Sequence, residues 1–181
     1  MKAIMISIQP QWVEKILNGE KTIEIRKTKP KCEFPCKVYI YCTKGRYIQY
    51  TPPLSDTNYE HAFGYVMNGK VVAEFTLNGV VKFDIKSIMT LNVQQELMQK
   101  SCLGGLSLRN YLGNGFGYAW HIDNLTIYDK PKEITDFVYS GKCRNQDCIN
   151  CEKYFVSRGY CPTCLERPPQ SWCYVEDLDE N

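Results

Sequence analysis

The sequence predicts a mainly β, α+β fold in which a small β-barrel is flanked by short helices. β-rich runs are short and numerous: residues 3–8, 36–43, 70–85 and 117–128 cluster or alternate Val, Ile, Tyr, Phe and Met. Helical periodicity is confined to residues 10–18, 93–101 and 106–112. Many short strands with few helices favour a small barrel. Residues 143–164 stand apart, because they hold five of the ten cysteines.

Taken in order, residues 3–8 form a short strand rather than a signal-peptide core. Pro10 suits a first helical turn, Trp12, Val13, Ile16 and Leu17 recur on one face, and Gly19 falls where a left-handed cap belongs, so residues 10–18 are helical. Residues 20–27 then read as a strand. Alternation sends Ile23 and Ile25 to a core and Thr22, Glu24 and Arg26 to the other face, with Lys21 at the mouth of the turn. Two readings of that charged face stand side by side. One is a solvated strand carrying a surface ion pair worth about 0–1 kcal/mol. The other is a site for a polyanion or polar substrate, with Arg26 as a bidentate fork, Lys21 as point charge or amine, and Glu24 as orienter or base.

Residues 44–69, with Thr51-Pro52-Pro53, form a long insertion without a readable element. In the run 70–85, Asn78-Gly79 suits a hairpin turn or a bulge, and residues 117–128 read as another strand pair or as one strand with a bend at Asp123-Asn124. His121 fits a hydrogen-bonded core histidine better than a catalyst. Trp12, Trp120 and Trp172 are candidates to stack on a base, although aromatics at such places are mostly core.

At 181 residues the chain suits one domain plus an appendage. A net charge of +2 does not advertise a nucleic-acid binder, but its distribution is uneven. Residues 15–46 hold nine Lys or Arg against three acids, and residues 174–181 hold four acids and no base. No run approaches the ~18 apolar residues of a membrane span, so no membrane association and a cytoplasmic location are expected. In that compartment ten cysteines are thiols and metal ligands rather than a disulfide framework.

Cys148-x-x-Cys151 and Cys161-Pro162-Thr163-Cys164 have the spacing that lets four thiolates reach one tetrahedral ion at about 2.3 Å. A structural zinc held by Cys148, Cys151, Cys161 and Cys164 is expected, with Cys143 competing for a ligand place. Cys32, Cys36, Cys42, Cys102 and Cys173 read as buried small hydrophobes. Cys32-x-x-x-Cys36 has metal-compatible spacing but lacks a second pair. The organisation that follows is a barrel over residues 1–140, a cysteine-rich zinc-binding insert over 141–167, and a final barrel strand with an acidic tail over 168–181.

Ser7-Ile8-Gln9-Pro10, then the helix, then Gly19-x-Lys21-x-x-Glu24-x-Arg26 resembles the ASCH family, a PUA-like β-barrel group linked to RNA. Tyr118-Ala119-Trp120-His121-Ile122, Tyr128-Asp129-Lys130-Pro131 and Pro168-Pro169-Gln170-Ser171-Trp172 are similar to its bacterial and phage branch. The likeness spans the chain apart from residues 42–70 and the cysteine-rich piece. It implies a PUA-like barrel with a cationic cleft lined by Lys21, Glu24 and Arg26, near a last strand that makes Ser171 a further candidate. The implied ligand is RNA, a nucleotide or a modified nucleoside.

Known activities in the wider family include a ribonuclease and an amidohydrolase acting on N4-acetylcytidine. In members resembling the latter, a Lys, a Thr and a further Glu are associated with the chemistry. This chain keeps Lys21 but carries Glu24 where that Thr stands, so the hydroxyl is missing there. The leading expectation is thus an RNA- or nucleotide-binding module using Lys21, Glu24, Arg26, Trp120 and Ser171. Its rivals are a small hydrolase with Lys21 and Glu24 as catalytic pair, and a phage-associated protein-interaction module.

Overall fold

The computed structural model describes residues 2–45, 49–50, 65–88, 93–140 and 164–178. Its strands are β1 (Lys2–Ile8), β2 (Ile23–Arg26), β3 (Cys36–Cys42), β4 (Gln49–Tyr50), β5 (Tyr65–Val66), β6 (Val71–Leu77), β7 (Val80–Asp84), β8 (Phe116–His121), β9 (Asp123–Lys132) and β10 (Trp172–Glu176). The helices are α1 (Pro10–Leu17), α2 (Ile85–Ile88), α3 (Val93–Ser101) and α4 (Gly105–Leu112). A five-stranded sheet runs β10-β1-β3-β6-β9 and a three-stranded sheet β2-β8-β7. The mainly β, α+β class expected from the sequence is the one found. Of the 44–69 segment, β4 and β5 pair antiparallel.

β1 is buried from Ala3 onward because its sheet is covered on both faces. Ile4, Ile6 and Ile8 join Val38, Ile40, Phe75 and Trp120 in the cluster between the two sheets. Ala3 and Met5 turn the other way, onto Tyr39, Phe137, Leu165 and Val175. Burial of both faces yields a continuous apolar run rather than alternation. A third cluster packs Ile23, Ile25 and Ala119 of the smaller sheet against Leu97 of α3 and Leu108 of α4.

Asn78-Gly79 is neither hairpin turn nor bulge, because β6 and β7 lie in different sheets. The chain changes sheets there and again between β8 and β9, next to Asn124 in the left-handed region at φ 49°. The two crossings are joined, since Asn78 Nδ2 donates to Asp123 Oδ2 at 2.9 Å.

Cys148, Cys151 and Cys161, with Cys143, lie outside the described residues. Cys164 is half-buried and forms an isolated bridge with Val138, and the next residue, Leu165, is fully buried in the second cluster. Among the described residues no three His, Cys, Asp or Glu side chains gather as a metal site. Cys36 and Cys42 are buried as expected, whereas Cys32, Cys102 and Cys173 are half-buried. Cys102 follows α3 at φ 55°, where its thiol reaches the Glu20 carbonyl at 3.4 Å. No helix among the described residues is long and apolar enough to cross a membrane.

Candidate functional site

A cleft of about 950 Å³ opens where β2, the edge of the smaller sheet, meets the end of β1, the start of α1 and the segment leading into β10. The volume lies at the upper end of the range for small-molecule sites. Ser7, Trp12, Lys21, Glu24, Arg26, Lys27, Tyr111 and Ser171 are among the residues that line it.

Lys21 reaches the cleft because the chain does not extend directly from helix to strand. Gly19 adopts φ 75°, which only glycine takes at little cost. Lys21 N then bonds back to Lys15 O at 3.0 Å, and Thr22 N bonds to Lys100 O at 2.9 Å. The expected strand over 20–27 is thus shortened to four residues, and the Lys21 side chain turns inward.

The charged face of β2 is buried, so the solvated reading is corrected. Lys21 is 2 %, Glu24 8 % and Arg26 7 % exposed. Glu24 pairs in register with Trp120, and Arg26 with Tyr118, so both face the space between the sheets. Lys21 Nζ donates to Ile23 O at 2.8 Å and to Ser101 O at 2.7 Å, and lies 3.2 Å from Glu24 Oε2. Those three acceptors match the three donors of an ammonium group.

Arg26 Nη2 donates to Ser7 O at 2.7 Å and Nη1 to Ser171 Oγ at 3.3 Å. Its Nε stands 3.0 Å from Glu24 Oε1, yet that N–H has no acceptor in hydrogen-bonding alignment. Charge attraction rather than a directed hydrogen bond therefore joins Arg26 to Glu24. Burying three ions is costly unless they neutralise one another and find further partners. The Ile23, Ser101 and Ser7 carbonyls are those partners.

Lys21, Glu24, Arg26 and Ser171 lie together in the cleft. Trp120 is not with them. It is fully buried in the inter-sheet cluster, 5.8 Å ring to ring from Trp172, with its indole N–H unpartnered. Aromatic surface in the cleft comes instead from half-buried Trp12 and from Tyr111, which is 39 % exposed. Exposed Lys27 places its ammonium 5.1 Å from the Tyr111 ring centre. Burial pushes the Tyr111 phenol up, with Arg26 opposing and Glu24 reinforcing, so it stays a neutral donor near neutral pH.

Tyr111 escaped sequence reading because α4 meets β2 only through tertiary packing. Ser7 carried a signal: it is the polar residue in an otherwise apolar run. Its hydroxyl donates to Pro169 O at 2.7 Å, and its N–H bonds to Ser171 O at 3.0 Å.

No family model matches the sequence, and no curated protein matches it. Among solved structures, the chain is similar to ASCH from Zymomonas mobilis. The TM-score is 0.57 at 16% identity, covering 97% of this chain and 88% of that one. A tyrosine-to-phenylalanine variant of the same protein gives 0.56 at 16% identity, covering 98% of this chain and 92% of its own. A serine-to-alanine variant gives 0.57 at 16% identity, covering 97% and 89%. The order of elements, the two sheets and this likeness over nearly the whole chain agree: the chain has the ASCH-domain fold.

Proposed function

We propose that the chain binds single-stranded RNA or a nucleotide, an unmodified or modified nucleoside unit entering the cleft over the Lys21–Glu24–Arg26 floor. One observation carries this reading: an exposed aromatic ring and an exposed cation, Tyr111 and Lys27, stand beside a floor of two cations and one carboxylate. Bases stack on such rings at about 1–3 kcal/mol each, and a surface lysine contacts phosphate. Lys21 and Arg26 already spend donors on internal acceptors. They supply a fixed positive field, while Lys27 supplies the adaptable phosphate contact.

A hydrolase is the second reading. It is favoured by Glu24, a buried carboxylate held by ion pairs at the cleft floor, where a general base is wanted. The use of all three Lys21 donors opposes a free-amine role for that residue. Glu24→Gln separates the two readings when affinity for a short single-stranded RNA and turnover of it are both measured. For a binding module the variant, shown by circular dichroism to be folded despite losing the counter-charge of Lys21 and Arg26, binds as well as or better than the parent, since a negative charge near the phosphates is gone. For a hydrolase, turnover present in the parent is lost while binding persists. Unchanged RNA affinity in Lys27→Ala at low salt would remove the phosphate contact from this cleft.

The cysteine-rich segment is proposed to hold one structural zinc through Cys148, Cys151, Cys161 and Cys164. Their two CxxC pairs have the spacing of a closed four-thiolate site, which supplies folding energy rather than chemistry. Elemental analysis of protein purified without chelator should find one zinc per chain, and its absence would rule out the site.

A further inference from the structure

We propose that Cys32 and Cys36 form a dithiol that closes reversibly into a disulfide by exchange with low-molecular-weight disulfides. Their sulfurs lie 3.1 Å apart in hydrogen-bond contact. Both are held where they are. Cys36 opens β3 in register with Leu77 and is 6 % exposed. Cys32 packs against the inter-sheet cluster at the end of a loop tied to β10. Those ties are Trp172 Nε1 donating to Thr28 Oγ1 at 3.0 Å and Lys31 N donating to the Tyr174 hydroxyl.

A metal site fits less well. Two thiolates on one tetrahedral zinc, each at about 2.3 Å, stand about 3.8 Å apart, which is wider than observed. No third ligand completes a cluster among the described residues.

The two sulfurs differ in their surroundings, and this orders the steps. Burial first, and the Cys32 contact second, push the Cys36 thiol up, so it stays protonated. Cys32 is half-buried and so the more accessible residue of the two. Its thiolate attacks one sulfur of the external disulfide and expels one thiolate, leaving a mixed disulfide on Cys32. Cys36 then attacks Cys32 Sγ as its proton passes to the departing sulfur, which leaves as the second thiol. The protein's two thiols are oxidised to one disulfide, and the reagent is reduced to two thiols. The second step is intramolecular, so proximity favours closure over persistence of the adduct.

The test uses the intact chain equilibrated in glutathione buffers of stepped redox ratio, then acid-quenched, alkylated and cut with trypsin. Cleavage after Lys31 and Lys37 isolates residues 32–37, which contain Cys32, Cys36 and no other cysteine. Toward the oxidising end this peptide should lose two hydrogens and escape alkylation, and a reductant should reverse both changes. Cys36→Ser should instead accumulate a glutathione adduct on Cys32, whereas Cys32→Ser should leave Cys36 without one. The proposal is overturned by a peptide that stays fully alkylated even at the most oxidising glutathione ratio. A persistent adduct in the unsubstituted chain, or pairing of Cys32 with another cysteine, overturns it as well.

Discussion

Lys21 illustrates how far a single side chain's role depends on where the backbone turns. Its charge belongs to the packing of the molecule: the ammonium joins β2 to the last carbonyl of α3 through Ser101 and neutralises Glu24 within the cleft floor. Lys21→Ala should therefore destabilise the protein by about 3 kcal/mol, toward the low end for a broken buried pair because Arg26 still faces Glu24. That is a large share of a typical 5–15 kcal/mol total. Urea unfolding followed by circular dichroism measures it, and a loss below about 1 kcal/mol would return Lys21 to the surface role that its residue type suggested. The residue types of the site were legible in Lys21, Glu24 and Arg26, but their burial was not. Alternation assigns a residue to one of two faces, and nothing in it says that both faces of β2 are covered.

Elements were more legible than the links between them. The helix after Pro10, the strands at both ends and the helices near residues 93 and 105 follow from periodicity and punctuation. Asn78-Gly79 misled because the dipeptide permits a tight turn without requiring one: neither residue takes a positive φ, and the chain passes there from one sheet to the other. Pairing partners are set by which apolar faces meet, and that is decided across the whole chain. β8 shows how closely the parts fit. A Cβ at Gly117 would stand 2.3 Å from Phe83 Cζ and 2.6 Å from Leu112 Cδ1, where β7 and α4 close on the strand. Gly117→Ala should cost about 1–3 kcal/mol through displaced side chains. Thermal or chemical denaturation reads this directly, and an unchanged midpoint would mean that Phe83 and Leu112 can move aside freely.

For the whole molecule, a parallel β1–β3 pair with α1 and β2 in its crossover, together with two further changes of sheet, sets the Lys21–Glu24–Arg26 cluster at one end of the inter-sheet core. The cleft walls come from distant parts of the chain: Trp12 from α1, Tyr111 from α4 and Ser171 from the approach to β10. The sequence marked the floor and the walls that carry Trp12 and Ser171. The Tyr111 wall could not be read, because the meeting of α4 with β2 is a property of the fold. The most direct test of the cleft as an RNA site is the affinity of Tyr111→Ala for a short single-stranded RNA, measured by fluorescence anisotropy beside the parent. Tyr111 is exposed, so its removal should leave stability nearly unchanged. Loss of one stacked base, about 1–3 kcal/mol, should weaken binding by about 5- to 150-fold. Equal affinity in the parent and the folded variant would contradict base stacking on Tyr111 and move the ligand away from this wall of the cleft.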